Sequence, residues 1–523
     1  MTDPSSQPKD EDSSTSAPEA AEFELKFVSD AVGLRRVAKL ACLCDYPLSN
    51  AKRLQTIYFD TEQGSLLQHG ISLRLRKWPR GRNVMTFKGP GTDAFSRREI
   101  EISVGPDGLD ISKFDLETQA AIRKICHDAP LVERYATDFR RKTINIQTER
   151  SLIEIALDQG SFVTNGQSHP LYEVEIELKL GDRAEAVAWA KKIALEAQIQ
   201  LETISKAERC AVLAGFNLPI RSAKLEPFAP NASLDFVIAR LLSECLRHYM
   251  DYLHPFREEH SPLAVHQMRV ALRRLRAALK VFAKAFPETS FRSYADRART
   301  LATGLGDARD CDAFRQLAFG EALQHPSRPI DAPHLESGLD KLRADAYERA
   351  SALIESEFNL TFILDMQIFI LERAWRSEAT DSSFVTLSAP ATYFARETLD
   401  RLLRQARRKG KDILNRSDEE RHDLRISLKN LRYNAHLLAP LFTIKKSQKT
   451  WFSDLAALQE ILGLHNDLAN AQIMLERLQS FAEDDFSQSA GFIMGWHACN
   501  GHAADQKIEK TWKRFRSDPA FWS

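Results

Sequence analysis

Between residues 22 and 180 the chain repeatedly alternates charged and apolar residues with a period of two, and no other feature constrains its fold as much. The alternation recurs in Glu22–Phe27, Ile71–Arg76, Val84–Lys88, Arg97–Val104, Leu152–Asp158 and Tyr172–Leu180. On a strand, residues i, i+2 and i+4 share one face. Glu22, Glu24 and Lys26 therefore lie opposite Phe23, Leu25 and Phe27. By the same parity Arg74 and Arg76 oppose Leu73 and Leu75, and Thr86 and Lys88 oppose Met85 and Phe87. Arg97, Glu99 and Glu101 oppose Ile100 and Ile102, while Glu154 and Asp158 oppose Ile153, Ile155 and Leu157. Glu173, Glu175, Glu177 and Lys179 oppose Val174, Ile176 and Leu178.

A single strand of this kind is ordinarily a half-buried strand with its polar face in water. As a set the strands say more, because E-x-E pairs occur on three of them and Arg or Lys pairs on two others. If they close into a barrel with apolar faces outward against helices, the charge lines the lumen. Crowded carboxylates repel unless a cation sits between them, and crowded Arg and Lys repel unless an anion does. A divalent metal together with a polyphosphate meets both demands, since Mg²⁺ prefers carboxylate oxygens and shares its coordination with phosphates. An eight-stranded barrel has room for about one small ligand.

The pattern changes near residue 218. Helical stretches such as Leu34–Cys42, Leu116–His127 and Arg183–Glu196 interrupt the strands before it, and a Pro-containing segment, LPIRSAKLEPFAPNAS, follows. From Leu234 onward the periodicity is helical and rich in Ala, Leu and Arg. We expect a disordered tail over 1–20, an α+β domain over 21–217, a linker over 218–232 and an all-α domain over 233–516. Lys+Arg and Asp+Glu each number 72, and this balance argues against a generally basic nucleic-acid coat protein. No apolar run reaches membrane-spanning length, and the Ser/Pro/acid-rich N-terminus has no apolar core of a secretory signal. Seven scattered cysteines without C-x-x-C spacing read as reduced thiols, so a cytoplasmic location is expected.

The charged segments carry a family resemblance. Glu22-x-Glu24-x-Lys26 resembles the signature of the CYTH domain, or triphosphate tunnel metalloenzymes. Further matches follow in order: the Leu-Arg74-Leu-Arg76 strand, Thr86-Phe-Lys88-Gly-Pro, Arg97-x-Glu99-x-Glu101, Arg141, Ala-Leu-Asp158, Glu173-x-Glu175-x-Glu177 and Lys206. The resemblance covers about Glu22 to Phe216. It implies a closed, eight-stranded antiparallel tunnel with surrounding helices that hydrolyses or cyclises triphosphates with Mg²⁺ or Mn²⁺. Carried over position by position, it implies that Lys26, Arg74, Arg76, Lys88, Arg97, Arg141 and Lys206 cradle phosphate oxygens. Glu22, Glu24, Asp158, Glu173, Glu175 and Glu177 would supply metal ligands, with two of the last three sufficing. Glu99 and Glu101 could hold a second metal or its water, so that Glu22, Glu24, Lys26, Glu99 and Glu101 form the expected catalytic set. No Walker A motif is present, as the Lys88-Gly-Pro-Gly91 segment lacks its spacing.

The second half contains an internal repeat. His266-Gln-Met-Arg269-Val-Ala-Leu-Arg273-Arg-Leu-Arg276 matches His422-Asp-Leu-Arg425-Ile-Ser-Leu-Lys429-Asn-Leu-Arg432 at identical spacings. Leu305-Gly306 with Asp310 likewise matches Leu462-Gly463 with Asp467. Offsets of 3, 7 and 10 share a helical stripe, so each copy has a cationic face opposite an apolar one. Two related helical bundles about a pseudo-two-fold axis are expected. One basic stripe is commonly only a solvated surface; two copies led by His point to an anion site. Arg274, Arg292, Arg297, Arg299, Arg407, Arg408, Lys409 and Lys411 could enlarge it. This half resembles the CHAD domain, which implies two four-helix bundles whose basic centre binds inorganic polyphosphate. His266, Arg269, Arg273, Arg276, His422, Arg425, Lys429 and Arg432 would be the contacts, and Asp310 and Asp467 would orient them.

The two-domain order resembles that of bacterial inorganic triphosphatases. The expectation is metal-dependent hydrolysis of tripolyphosphate to diphosphate and phosphate, beside a polyphosphate-binding helical domain. Alternatives are an adenylyl cyclase, a thiamine triphosphatase with Trp78 as the nearby aromatic, or a non-catalytic polyphosphate-binding, granule-associated protein. Nucleic acid is disfavoured, because no aromatic stacking platform is interleaved with the basic patch.

Overall fold

The structure is a computed structural model and describes residues 21–77, 83–91, 95–105, 108–219, 225–319, 332–444, 448–480 and 487–522. The expected tail, Trp78 and part of the expected linker lie outside these residues, as do the side chains of 465–468, which include Asp467. The N-terminal half is built on nine strands: β1 (Ala21–Val28), β2 (Lys52–Asp60), β3 (Ser72–Lys77), β4 (Asn83–Pro90), β5 (Ser96–Val104), β6 (Val132–Gln147), β7 (Ser151–Thr164), β8 (Gln167–Gly181) and β9 (Gln200–Glu202). Their order is β5-β4-β3-β2-β6-β7-β8-β1-β9, and β5 also pairs with β1. Strands β1 to β8 thus close an antiparallel barrel, with β9 as an extra strand on β1.

The period-two pattern dictates which side faces in. Phe23, Leu25 and Phe27 of β1, Ile153 and Ile155 of β7, and Val174 and Ile176 of β8 are all buried. They pack outward in one core with Val187, Ala190, Ile193 and Ala194 of α1 (Arg183–Ala197). Burying a Leu, Ile or Phe side chain contributes roughly 1.5–3 kcal/mol. A one-residue slip of β1 would bring Glu22, Glu24 and Lys26 into that core, so the register is strongly specified. At Gly160 on β7 an added Cβ would lie 2.2 Å from Asp138 O and 2.4 Å from Phe139 Cα, so only glycine permits this approach of β6.

After the barrel comes α2 (Lys206–Leu213), whose start is set by a capping box: Ser205 Oγ accepts from Glu208 N, and the Glu208 carboxylate accepts from Ser205 N. The second half is helical, beginning with α3 (Leu234–Met250), α4 (Leu253–Glu259) and α5 (Pro262–Ala285). Further on lie α6 (Phe291–Gly304), α7 (Glu357–Leu371), α8 (Asp418–Leu438) and α9 (Lys449–Gln479). Helices α5 and α8 carry the two copies of the repeat. Met268, Leu272, Leu275 and Leu279 of α5 and Leu424, Leu428 and Leu431 of α8 are buried, and the two helices contact each other. Helix α7 lies against α1 of the barrel, where Asp365 accepts from Lys191 and, at 2.9 Å, from Arg297 of α6.

Candidate active site and anion cleft

The barrel encloses a cavity of about 230 Å³ with sixteen lining residues, thirteen of them charged: seven carboxylates and six cations. Glu22, Glu24, Arg74, Arg76, Lys88, Glu99, Glu101, Arg141, Glu175, Glu177 and Lys206, all expected at the site, line it. Lys26 and Arg97 instead line a neighbouring cavity of about 20 Å³. The register explains the division. Lys26 sits opposite Glu175 on β8 and opposite Glu202 on β9, and its ammonium donates to Glu24. Arg97 is drawn to Glu208 of the α2 capping box at 3.3 Å.

Strand pairing places Glu24 opposite Glu177 and Glu177 opposite Glu154, a row of three carboxylates across β1, β8 and β7. Like charges directly opposite one another are destabilising. Lys179 answers part of the row, at 2.6 Å from Glu177 and 3.5 Å from Glu154. Burial pushes the Glu24 carboxyl up, but the Lys26 and Lys88 ammoniums outweigh it and hold it at about 2. Burial raises Glu177 above the usual carboxylate range, with Glu22 and Glu24 adding to the effect against Lys179.

Deeper in, Lys206 is the first residue of α2, and its ammonium stands 2.8 Å from Asp158 and 2.7 Å from Glu175 while also donating to Glu173. Ligand oxygens of Asp158, Glu173 and Glu175 lie within 4.8 Å of one another, close enough to share a metal, yet the Lys206 ammonium already bonds all three. Arg141 grips Asp158 through two parallel bonds of 2.7 and 2.6 Å and also donates to Glu175. Asp158 and Glu173 are fully buried and are not among the walls of the main cavity. Burial raises Glu173 to about 7, only partly offset by Lys206 and Arg209. Glu175 stays well below its ordinary range, since Lys206, Arg141 and Lys26 overcome its burial.

On the opposite wall three cations, Arg74, Arg76 and Lys88, stand among three carboxylates, Glu22, Glu99 and Glu101. Lys88 donates to Glu22 and lies 3.3 Å from Glu99, and Arg74 lies 3.1 Å from Glu99 and 3.6 Å from Glu101. Arg76 makes no side-chain hydrogen bond or ion pair among the described residues, and its buried Nε has no partner. Burial, with Arg74 and Arg141 nearby, lowers Arg76 to about 10. Burial raises Glu99 to about 7, opposed by Lys88 and reinforced by Glu22.

Thr56, Tyr58, Glu154, Lys179 and Phe139 line the cavity without having been assigned a role from sequence. Glu154 and Lys179 were legible as lumen-facing from their parity. β2 carries Thr56 and Tyr58 inward, and the charged residues of the same parity, Lys52 and Asp60, stand only at its two ends.

In the helical domain a cleft of about 1350 Å³ runs between α5 and α8, with His266, Arg273, Arg274, Arg432, His248 and His436 among its walls. Burial, then Arg309, Arg273 and Arg269, lowers His266, which favours its neutral form. Arg269 turns away to donate to Ala302 O, and Gly306 leaves it room, since an added Cβ would lie 3.2 Å from its Nη1. That contact explains the spacing between the Arg269 stripe and the Leu305-Gly306 segment. Asp310 lies near Arg269, and burial raises its carboxyl. Arg276 sits beside Arg299 and Lys280, outside the cleft walls, and His422, Arg425 and Lys429 are likewise not among them.

Residues 20–211 match the model of the CYTH domain, and residues 240–476 match that of the CHAD domain. Over 197 residues the chain is 32% identical to the inorganic triphosphatase of Haemophilus influenzae, covering 36% of this chain and 53% of that protein. The chain therefore spans about half the length of this curated relative. Among solved structures, a CHAD domain from the plant Ricinus communis is similar at 25% identity and TM-score 0.49, over 58% of this chain and 99% of that one. A proposed adenylyl cyclase from Hippeastrum with a dominant triphosphatase activity is similar at 17% identity and TM-score 0.28, over 38% of this chain and 98% of that one.

Proposed function

Because this chain joins a CYTH domain to a CHAD domain, we propose that it hydrolyses inorganic triphosphate to diphosphate and phosphate in the barrel and binds polyphosphate in the helical cleft. One observation carries the reading. The Arg76 guanidinium, without a partner among the described residues and crowded by Arg74 and Arg141, shares one cavity with the Glu24–Glu177–Glu154 row. A polyanion carrying a divalent cation neutralises both walls together.

The donor set fits Mg²⁺ or Mn²⁺, all of it carboxylate oxygen. Glu24, Glu177 and Glu154, with Glu22 beside them, would hold the ion, displacing the Lys26, Lys88 and Lys179 ammoniums that face them; Asp158 is bonded by both Lys206 and Arg141, and Glu173 by both Lys206 and Arg209, which leaves that deeper set less open. When bound, the metal would offset phosphate charge and acidify a coordinated water. Arg74, Arg76 and Arg141 bind equatorial phosphate oxygens, and Lys88 and Lys206 add point charges. Asp158, bonded twice to Arg141 and once to Lys206, aims both cations into the cavity. Glu99, poised near 7, takes up a proton from the attacking water at its carboxylate.

The same cationic logic extends to the second domain. His266, Arg273, Arg274 and Arg432 offer neutral and charged donors along a cleft whose volume of about 1350 Å³ has room for several phosphate groups. The deciding experiment incubates the protein with tripolyphosphate, ATP or thiamine triphosphate, each with Mg²⁺ or Mn²⁺. Phosphate released fastest from tripolyphosphate is the expected result. Cyclic AMP as the main product would make it a cyclase, and no turnover would leave a binding protein.

A further inference from the structure

Strand β9 ties the charged interior of the barrel to the helical domain. It has only three residues and pairs with β1 at Lys26↔Glu202 and Phe27↔Leu201, on the strand that carries Glu24. So short an edge strand has little pairing of its own to hold it. The Glu202 carboxylate is buried, and it accepts from Thr203 N at 2.7 Å and Ile204 N at 3.2 Å. These bonds fold the turn that leads into Ser205, and the Ser205 capping box then starts α2 at Lys206. The Lys206 ammonium gathers Asp158, Glu173 and Glu175.

Two side chains of α4 hold this strand from the helical domain. Arg257 Nη1 donates to Leu201 O at 2.7 Å, and His254 Nδ1 lies 3.7 Å from Glu202 Oε1. Met250, at the end of α3, reaches the small cavity shared by Glu24, Lys26, Arg97 and Glu202. A second ion pair between the halves, Lys191 with Asp365, lies on α1 and α7 and touches none of these residues.

We propose that Arg257 and His254 are positioning residues for the barrel site. By holding β9 and the Glu202 turn they set where the Lys206 ammonium stands, so the docked helical domain completes the arrangement of cations and carboxylates that receives the phosphate. The inference rests on the barrel being the hydrolytic site, and its test has a readout that does not.

In the full chain, Arg257→Ala is expected to lower kcat for tripolyphosphate about tenfold with KM changed less than about threefold, the signature of misplaced rather than missing contacts. Arg257→Lys, which keeps a donor, should recover most of the rate, and Lys191→Met, at the second ion pair, should leave it unchanged. Amide exchange at residues 203–207 should rise in Arg257→Ala whatever the barrel hydrolyses. In an active enzyme, an unchanged kcat, or an equal loss in Lys191→Met, overturns the proposal. If the wild type hydrolyses no triphosphate, the proposed function fails, and unchanged exchange at 203–207 then overturns this inference separately. Should Arg257→Ala lose its cooperative melt, His254→Ala, which removes no backbone hydrogen bond, is read by the same two measurements.

Discussion

Glu24 on β1 and Glu177 on β8 are direct cross-strand partners, two carboxylates facing one another inside a closed barrel. Glu154 extends the row on the far side of Glu177. Neighbouring ammoniums hold Glu24 ionised, whereas Glu177 is pushed toward its neutral form. The pair is thus unequal before any ligand arrives, and a divalent cation would even it out by favouring both anions.

Glu24→Gln tests the row directly. It should lower phosphate release from tripolyphosphate by at least about 100-fold, because a charged ligand is lost. Retention on a polyphosphate column should be unaffected, since the helical cleft is untouched. Chelator should abolish turnover in the wild type and Mg²⁺ or Mn²⁺ should restore it, as measured by phosphate release.

Arg76→Ala should separate function from stability. Arg76 is mostly buried with no partner among the described residues, so its charge costs the unliganded fold. Without ligand the variant is expected to gain up to about 1 kcal/mol of unfolding free energy, read as a higher denaturant midpoint. Its KM for tripolyphosphate should rise at least about tenfold, the loss of one charge-assisted contact.

The pH dependence follows from Glu99, whose carboxyl is raised from 4.5 to about 7 by burial. The folded protein holds this proton to higher pH than the unfolded chain does. Stability of the unliganded protein should therefore fall as pH rises from 4.5 to about 7, by at most about 3 kcal/mol for this group. Turnover needs the carboxylate and should rise through the same window. Glu99→Gln should flatten the rate profile at a level about 100-fold lower. It should remove only part of the stability slope, because Glu173 also titrates near 7. Thermal melts and initial rates from pH 4 to 9 check both signs.

In the helical domain, Arg273→Ala with Arg432→Ala should weaken long-chain polyphosphate binding more than Arg269→Ala with Arg425→Ala does. Arg273 and Arg432 line the cleft, whereas Arg269 is spent on Ala302 O. The cleft pair should elute from a polyphosphate column at clearly lower salt, and equal elution of the two variants would defeat this.

Much of the site was legible because charge and parity travel together on a strand. Glu22, Glu24, Arg74, Arg76, Lys88, Glu99 and Glu177 come from five strands, and all reach one cavity. Thr56 and Tyr58 left no such trace, because neither is charged and the charged residues of their parity, Lys52 and Asp60, stand at the ends of β2. Lys26 and Arg97 have the right parity but sit at positions where Glu202 and Glu208 lie close by, and those contacts come from segments more than a hundred residues away. On the helices, spacing placed His266, Arg273 and Arg432 on cationic stripes, yet it could not say which residues of the second stripe reach the cleft.

The order of residues by itself determined the two halves, the inside-out strands and the repeated basic stripe. Each follows from local periodicity set against the cost of leaving apolar surface in water. Tertiary structure alone decided which opposite charges meet. Lys206 among three carboxylates, Arg76 without one among the described residues, and α4 of the helical domain gripping β9 all depend on the closing of the barrel and the docking of the domains. Those events bring together groups that no periodicity relates, and at hydrogen-bond range a shift of one or two ångströms changes which charge is paired.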